Sequence, residues 1–192
     1  DEPFANLDRL LRERLREELK QVQRRSRTTT ILVTHDREEA LALGDRIGVM
    51  HRGSLLQVGT AEEVYRTPAN PTVAQFLGHR NLFQITGVAE SVVEAAGIRC
   101  PQPAVAARAG DSLLLWPNRI RVHRQPCEDC FAATVKQSQF AGTHLVVTLE
   151  LVAGAELEVL QDLDREEIAC GETAWVEMLP GAISIVRKEP LR

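Results

Sequence analysis

The stretch TTTILVTHD (Thr28–Asp36) decides how the first part of the chain is read. Its residues are β-branched or apolar without alternation, the pattern of a strand buried on both faces of a parallel sheet. His35 and Asp36 follow at its carboxyl end. Asp36 is placed to cap a helix running to Ala42, and Gly44 to stop it. Upstream, Leu11, Leu15, Leu19 and Val22 fall at i, i+4, i+8 and i+11, so residues 9–25 are expected to form an amphipathic helix capped by Asn6 or Asp8. Arg and Glu balance on its other faces, so a solvated surface is expected there. Helix and strand together make an αβ unit. Such a unit carries the residues before the helix and those after the strand to one carboxyl edge, where α/β ligand sites lie.

Those two segments hold the densest chemistry. DEPFANLD (Asp1–Asp8) offers two adjacent carboxylates and a third beyond a short loop. An Asp at a strand end can hold Mg²⁺, because hard divalent cations prefer oxygen ligands. An adjacent Glu can orient or deprotonate an attacking water. The imidazole of His35 is a neutral-pH donor toward a phosphate oxygen. A strand-end histidine by itself is ordinarily a satisfied structural residue; the company of Asp1, Glu2 and Asp8 gives His35 the functional role.

At these residues the sequence resembles the ATP-binding subunit of an ABC transporter. Asp1 matches the last Asp of the Walker B strand, Glu2 the catalytic glutamate, Ala5 to Asp8 the D-loop and His35 the switch histidine. The resemblance runs on through EEALALGDRIGVMHRGSLLQVGTAEEVYRTPANPTVAQFLG (Glu38–Gly78) and covers essentially all of residues 1–78. Its importer branch carries a β-rich C-terminal regulatory domain, the transport-associated OB-fold (TOBE) domain. LLLWPNRIRVHR (Leu113–Arg124) resembles that domain's Arg-Pro-Glu segment, with Trp116 in place of the Arg and Asn118 in place of the Glu.

The resemblance implies an ATPase that powers solute import at the cytoplasmic face of a prokaryotic inner membrane. Its partners are membrane-spanning permease subunits and a second copy of itself, and ATP and Mg²⁺ lie between the two copies. Asp1 then assists Mg²⁺, Glu2 activates water, His35 contacts the γ-phosphate and Asp8 reaches across the dimer. Among import substrates an oxyanion is favoured over ferric iron or a polyamine, although the molybdate-binding Ser-Ala-Arg-Asn pattern is not found.

These 192 residues contain no G-x-x-x-x-G-K-[ST] phosphate cradle, no Leu-Ser-Gly-Gly-Gln signature and no Q-loop. Asp1-Glu2-Pro3-Phe4 also reads as the interior of a longer chain. The isolated polypeptide is therefore expected to be a C-terminal portion that binds no cofactor and hydrolyses no ATP, with the enzyme being the larger protein.

Beyond the strand, Arg46–Met50 and Ser54–Val58 read as strands around a His51–Gly53 turn. Thr60 with Glu63 forms a capping-box pattern opening a helix to Arg66. Pro68 and Pro71 end it, and Thr72–Leu77 is one or two more helical turns. The rhythm changes near Gly78, so an α/β part over 1–78 and an all-β OB-type barrel over 79–192 are expected. Nine short alternating segments follow: 83–90, 92–100, 112–116, 119–123, 131–140, 143–152, 155–161, 173–179 and 183–187. Short strands at near-regular spacing argue for a small barrel or sandwich. Leu145, Val147, Leu149 and Leu151 lie on one face, and Asp162–Ile168 hints at a helix.

Charge follows the same division. Residues 1–78 carry 12 basic and 12 acidic side chains, and 79–192 carry 11 and 15, so the chain totals −4. An acidic, aromatic-poor β half argues against nucleic acid as a partner. No apolar run approaches the ~20 residues that span a bilayer. Four cysteines are too few for a disulfide framework, and a reducing compartment is expected. Cys127-Glu128-Asp129-Cys130 is a C-x-x-C, half of a zinc site or a redox pair. No second C-x-x-C exists and no helix opens at it, so a turn with incidental thiols is expected. His51 and His79 read as surface or turn residues. Two alternatives stand beside the ATPase subunit: a stand-alone regulatory or dimerisation module, and a small metal-binding protein using Cys127 and Cys130.

Overall fold

The computed structural model describes residues 8–101, 106–165 and 167–188. The chain divides into two compact units between Ala69 and Asn70.

In the first unit, α1 spans Arg9–Ser26. Asp8 caps it, its Oδ1 accepting from Leu11 N at 3.0 Å, and Arg27 ends it in a left-handed conformation. α2 spans Arg37–Leu43, with Asp36 Oδ1 accepting from the amides of Glu38 and Glu39. Gly44 closes it by donating to Ala40 O.

The strand expected at Thr28–Thr34 does not form. Those residues are irregular, and Ile31 is 88% and Val33 56% exposed. A strand exists only through a ladder, and no described segment pairs with this one. Its β-branched residues therefore favour extended backbone without burying it. Every strand pairing among the described residues is antiparallel, so the parallel sheet expected here is not found among them.

β1 (Ile47–His51) and β2 (Ser54–Gly59) form a hairpin. Arg52 and Gly53 both take positive φ, the primed turn whose twist matches that of the strands. α3 (Ala61–Arg66) opens with the expected capping box: Thr60 Oγ1 accepts from Glu63 N, and Glu63 Oε2 accepts from Thr60 N.

The second unit begins with α4 (Pro71–Phe76), capped by Asn70 and started by a proline whose missing N–H costs nothing there. Ten strands follow. One five-stranded sheet has the order β12 (Ile183–Val186), β6 (Ser112–Leu115), β3 (Leu82–Ala89), β4 (Val92–Ala95) and β5 (Ile98–Pro101). The other runs β10 (Glu156–Gln161), β9 (Leu145–Glu150), β8 (Phe131–Phe140), β11 (Thr173–Met178) and β7 (Ile120–His123). The segment expected as one strand over 92–100 is two, because Ala96 and Gly97 take positive φ and turn the chain back. The helix hinted at 162–168 is not formed among the described residues; 163–165 is a turn.

One hydrophobic core spans both sheets. Ile85, Val93, Leu113 and Leu115 enter it from one, and Val135, Leu149, Leu157, Val159 and Val176 from the other. The period-2 face of β9 is buried as expected, with Val147, Leu149 and Leu151 inside and Leu145 packed at the margin. Edge strands β10 and β7 of the second sheet lie against each other, so that sheet curls toward closure. No described helix is long and apolar enough to cross a membrane.

Candidate functional site

Of the residues singled out in the first unit, Asp1 and Glu2 lie outside the described residues. Asp8 and His35 lie within them. Asp8 is exposed and committed through one oxygen to capping α1. His35 is exposed in the bend that leads into α2.

The residues on either side of His35 are held tightly. Asp36 divides its two oxygens. Oδ1 caps α2, while Oδ2 meets Arg16 Nη2 at 3.1 Å and Arg12 Nη1 at 3.4 Å. Arg16 also reaches Glu39 Oε1 at 3.2 Å. Thr34 donates its hydroxyl to Glu39 Oε2 at 2.7 Å and accepts from Asp36 N at 3.0 Å. Glu39 is buried, which is tolerable only because both its oxygens are paired. Arg12 lies one turn beyond Asp8, so a single ion pair connects the start of α1 to the residue following His35. Lys20 adds a contact farther along, donating to Ala42 O at 2.7 Å near the C-terminal end of α2, where a cation is favoured.

This brace corrects the expectation that the Arg and Glu faces of α1 are solvated. Arg16 is better buried than Leu19, the side chain at 12% exposure against 36% for that residue. Periodicity identified the leucine stripe, but Arg12 and Arg16 were not singled out as contacts. Their signal is present in the i, i+4 spacing and in the acidic Asp36 and Glu39, although only the path of the irregular segment 27–36 brings them together.

Arg12, Glu13, Arg16 and Glu38 line a cleft of ≈ 230 Å³. The two guanidinium charges are already opposed by Asp36 and Glu39, so the cleft is a poor anion cradle. No three His, Cys, Asp or Glu side chains among the described residues gather as metal ligands. The described residues therefore do not make an ATP–Mg²⁺ site by themselves.

In the second unit, Trp116 has become a packing residue. Its Nε1–H donates to Ser184 Oγ at 2.9 Å, and its ring meets His79 edge-on with centroids 5.1 Å apart. His79, expected as a surface or turn residue, is buried, packed against the Trp116 ring and tied by its amide to Ala74 O of α4. His51, at the end of β1, is half-buried. Asn118 is exposed in the 3₁₀ turn Pro117–Arg119.

Asn81 is a further residue the sequence did not announce. It is 2% exposed and joins the two sheets. Its Nδ2 donates to Leu115 O at 3.2 Å and to Glu158 O at 2.7 Å, and its Oδ1 accepts from Glu158 N at 2.7 Å.

The C-x-x-C lies in the turn between β7 and β8, as expected, but its thiols are not incidental. Cys127 and Cys130 are joined as a disulfide, with Cα atoms 5.4 Å apart.

The TOBE domain family matches residues 113–186. Among curated relatives, the spermidine/putrescine import ATP-binding protein PotA of Pseudomonas fluorescens is 38% identical over 97% of this chain and 53% of its own length. PotA of Borreliella afzelii is 39% identical over 79% of the chain and 44% of its own length. The Fe(3+) ions import ATP-binding protein FbpC of Streptomyces coelicolor is 39% identical over 82% and 44%. The chain thus spans about half the length of the curated relatives it matches. The solved structure of the cytoplasmic molybdate-binding protein ModG overlays 57% of this chain and 97% of its own, at 16% identity and a TM-score of 0.44. A likeness at that level carries no weight for fold or ligand.

Proposed function

Because this chain belongs with the importer-type ABC ATP-binding subunits, matching their C-terminal portion and its TOBE domain, we propose that it works within the ATP-hydrolysing subunit of a binding-protein-dependent importer. The observation that carries this is the likeness to PotA along nearly the whole chain, with His35 in the matched segment. The roles proposed are those of the sequence resemblance. Asp1 and Glu2 serve Mg²⁺ and the attacking water, His35 meets the terminal phosphate, and Asp8 faces a second copy of the subunit. The Arg12–Arg16 brace supports this by fixing Asp36 to α1 directly and Thr34 through Glu39, so that the loop carrying His35 has a firm base. The curled sheet of β7 to β11 we take as an OB-type regulatory barrel. The subunit would sit peripherally at the cytoplasmic face of the membrane against permease subunits.

For the solute, polyamines replace the oxyanion as the favoured class, since relatives matched along most of the chain are named for spermidine and putrescine. The solute itself is held by other subunits.

A chimera tests the proposal. Residues 1–192 replace the matching segment of Pseudomonas fluorescens PotA, assembled with its permease and binding protein. Putrescine-stimulated ATP turnover is expected, and His35→Ala is expected to abolish it. A chimera that binds ATP and turns over equally with and without His35 sinks the assignment. The 192-residue chain alone is expected to show no Mg²⁺-dependent turnover.

A further inference from the structure

The Cys127–Cys130 pair lies outside everything the importer reading uses. It sits at the solvent-exposed tip between β7 and β8, where the sheet ladder has ended. Cys127 is exposed and Cys130 half-buried. The turn has its own backbone support: Cys130 N donates to Cys127 O at 3.4 Å, and Asp129 takes φ +57°. The strands that β11 holds on either side fix where the turn begins and ends. Breaking the sulfur–sulfur bond therefore leaves the two thiols close together, and closure again is intramolecular.

The other cysteines do not share these properties. Cys100 is 1% exposed, and burial pushes its thiol up to about 12, far from the thiolate that reacts. Cys170 is exposed, but its Sγ–H donates to Lys136 O, and no second cysteine is paired with it. The carboxylates of Glu128 and Asp129 stand between Cys127 and Cys130 and disfavour paired thiolates.

We propose that Cys127 and Cys130 form a thiol–disulfide exchange site whose co-reactant is a low-molecular-weight thiol. The thiolate of the small thiol attacks the exposed Cys127 Sγ. The protein S–S bond breaks, and its electron pair goes to Cys130 Sγ, which takes a proton from water. A second small thiolate attacks the outer sulfur of the mixed disulfide, and Cys127 leaves as a thiolate that is protonated. The net change is protein disulfide plus two thiols to protein dithiol plus one small disulfide. In reverse, Cys130 resolves the mixed disulfide on Cys127.

The test equilibrates the full 192-residue chain with graded mixtures of reduced and oxidised glutathione. It is then quenched with N-ethylmaleimide and read by intact mass and peptide mapping. The pair is expected to pass from two labels to none, with singly labelled and glutathionylated forms staying minor. Cys130→Ser is expected to accumulate one glutathione at Cys127, and Cys127→Ser roughly fivefold less at Cys130, because access selects the sulfur attacked. Tryptophan fluorescence establishes that both variants are folded. Labels unchanged across the whole series overturn the proposal, as do equal capture by the two variants and stoichiometric zinc that protects both thiols.

Discussion

Replacing Asn81 with Ala should unfold the β unit far more readily than its size suggests. Three hydrogen bonds are lost, to Leu115 O, Glu158 O and Glu158 N. Each bond contributes about 1 kcal/mol net, so the loss is about 3 kcal/mol. For a unit of this size, that lowers the melting temperature by roughly 10 °C. The neighbouring Arg80–Glu158 ion pair supplies the control. Arg80 is 78% exposed, and an exposed pair is worth at most about 1 kcal/mol, so Arg80→Ala should change little. Urea unfolding followed by tryptophan fluorescence isolates the event, because the two tryptophans, Trp116 and Trp175, both belong to the β unit. Asn81→Asp should be at least as damaging as Asn81→Ala, since it sets a carboxylate oxygen against two carbonyls. If Asn81→Ala and Arg80→Ala lie within about 0.5 kcal/mol of each other, the sheet-bridging role assigned to Asn81 is wrong.

In the first unit, Glu39→Ala strands Arg16 with one carboxylate and should cost about 3 kcal/mol, the lower end for a broken buried pair because Asp36 remains. Amide exchange over 37–43 that is unchanged in this variant contradicts the brace. The Thr60 amide and hydroxyl hold the Glu63 carboxyl below the ordinary value of 4.5. A depressed carboxylate contributes stability that is present above pH 4.5 and is lost as pH falls through the folded value. NMR titration of Glu63 should therefore move upward in Thr60→Ala, and identical curves in the two proteins exclude the hydroxyl's part in that depression. Lys136 behaves in the opposite sense: its pairing with Glu156 raises its pKa, so that contribution persists below the ordinary 10.5 and fades as pH rises past the folded value. Glu156→Gln should shift the Lys136 titration downward. Alkylation at pH 8.5 should mark Cys170 and leave Cys100 unmodified until the chain unfolds. Parallel labelling of both cysteines in the folded chain rules out the burial described here.

Short-range chemistry made much of the fold legible. Asp8, Asp36 and Thr60 cap the helices they were expected to cap, since a cap needs only an oxygen within a few residues of free amides. The β strands were located by alternation and turn residues, and only the Ala96-Gly97 turn went unread. The candidate site was less legible. His35 and Asp8 stood out by motif, whereas Arg12, Arg16 and Glu39, which hold the loop around His35, did not. Their pairing crosses from α1 to α2 and follows from no local period.

The sequence by itself determined the caps, the hairpins and the alternating faces, because each is decided by side chains a few residues apart. Only the tertiary structure decided that Thr28–Thr34 carries no ladder, that His79 is enclosed by Trp116, and that Asn81 joins two sheets through residues 34 and 77 positions away. A ladder, a buried ring and a bridging amide all require partners distant in sequence. Whether such partners arrive is settled by packing, which no local pattern encodes.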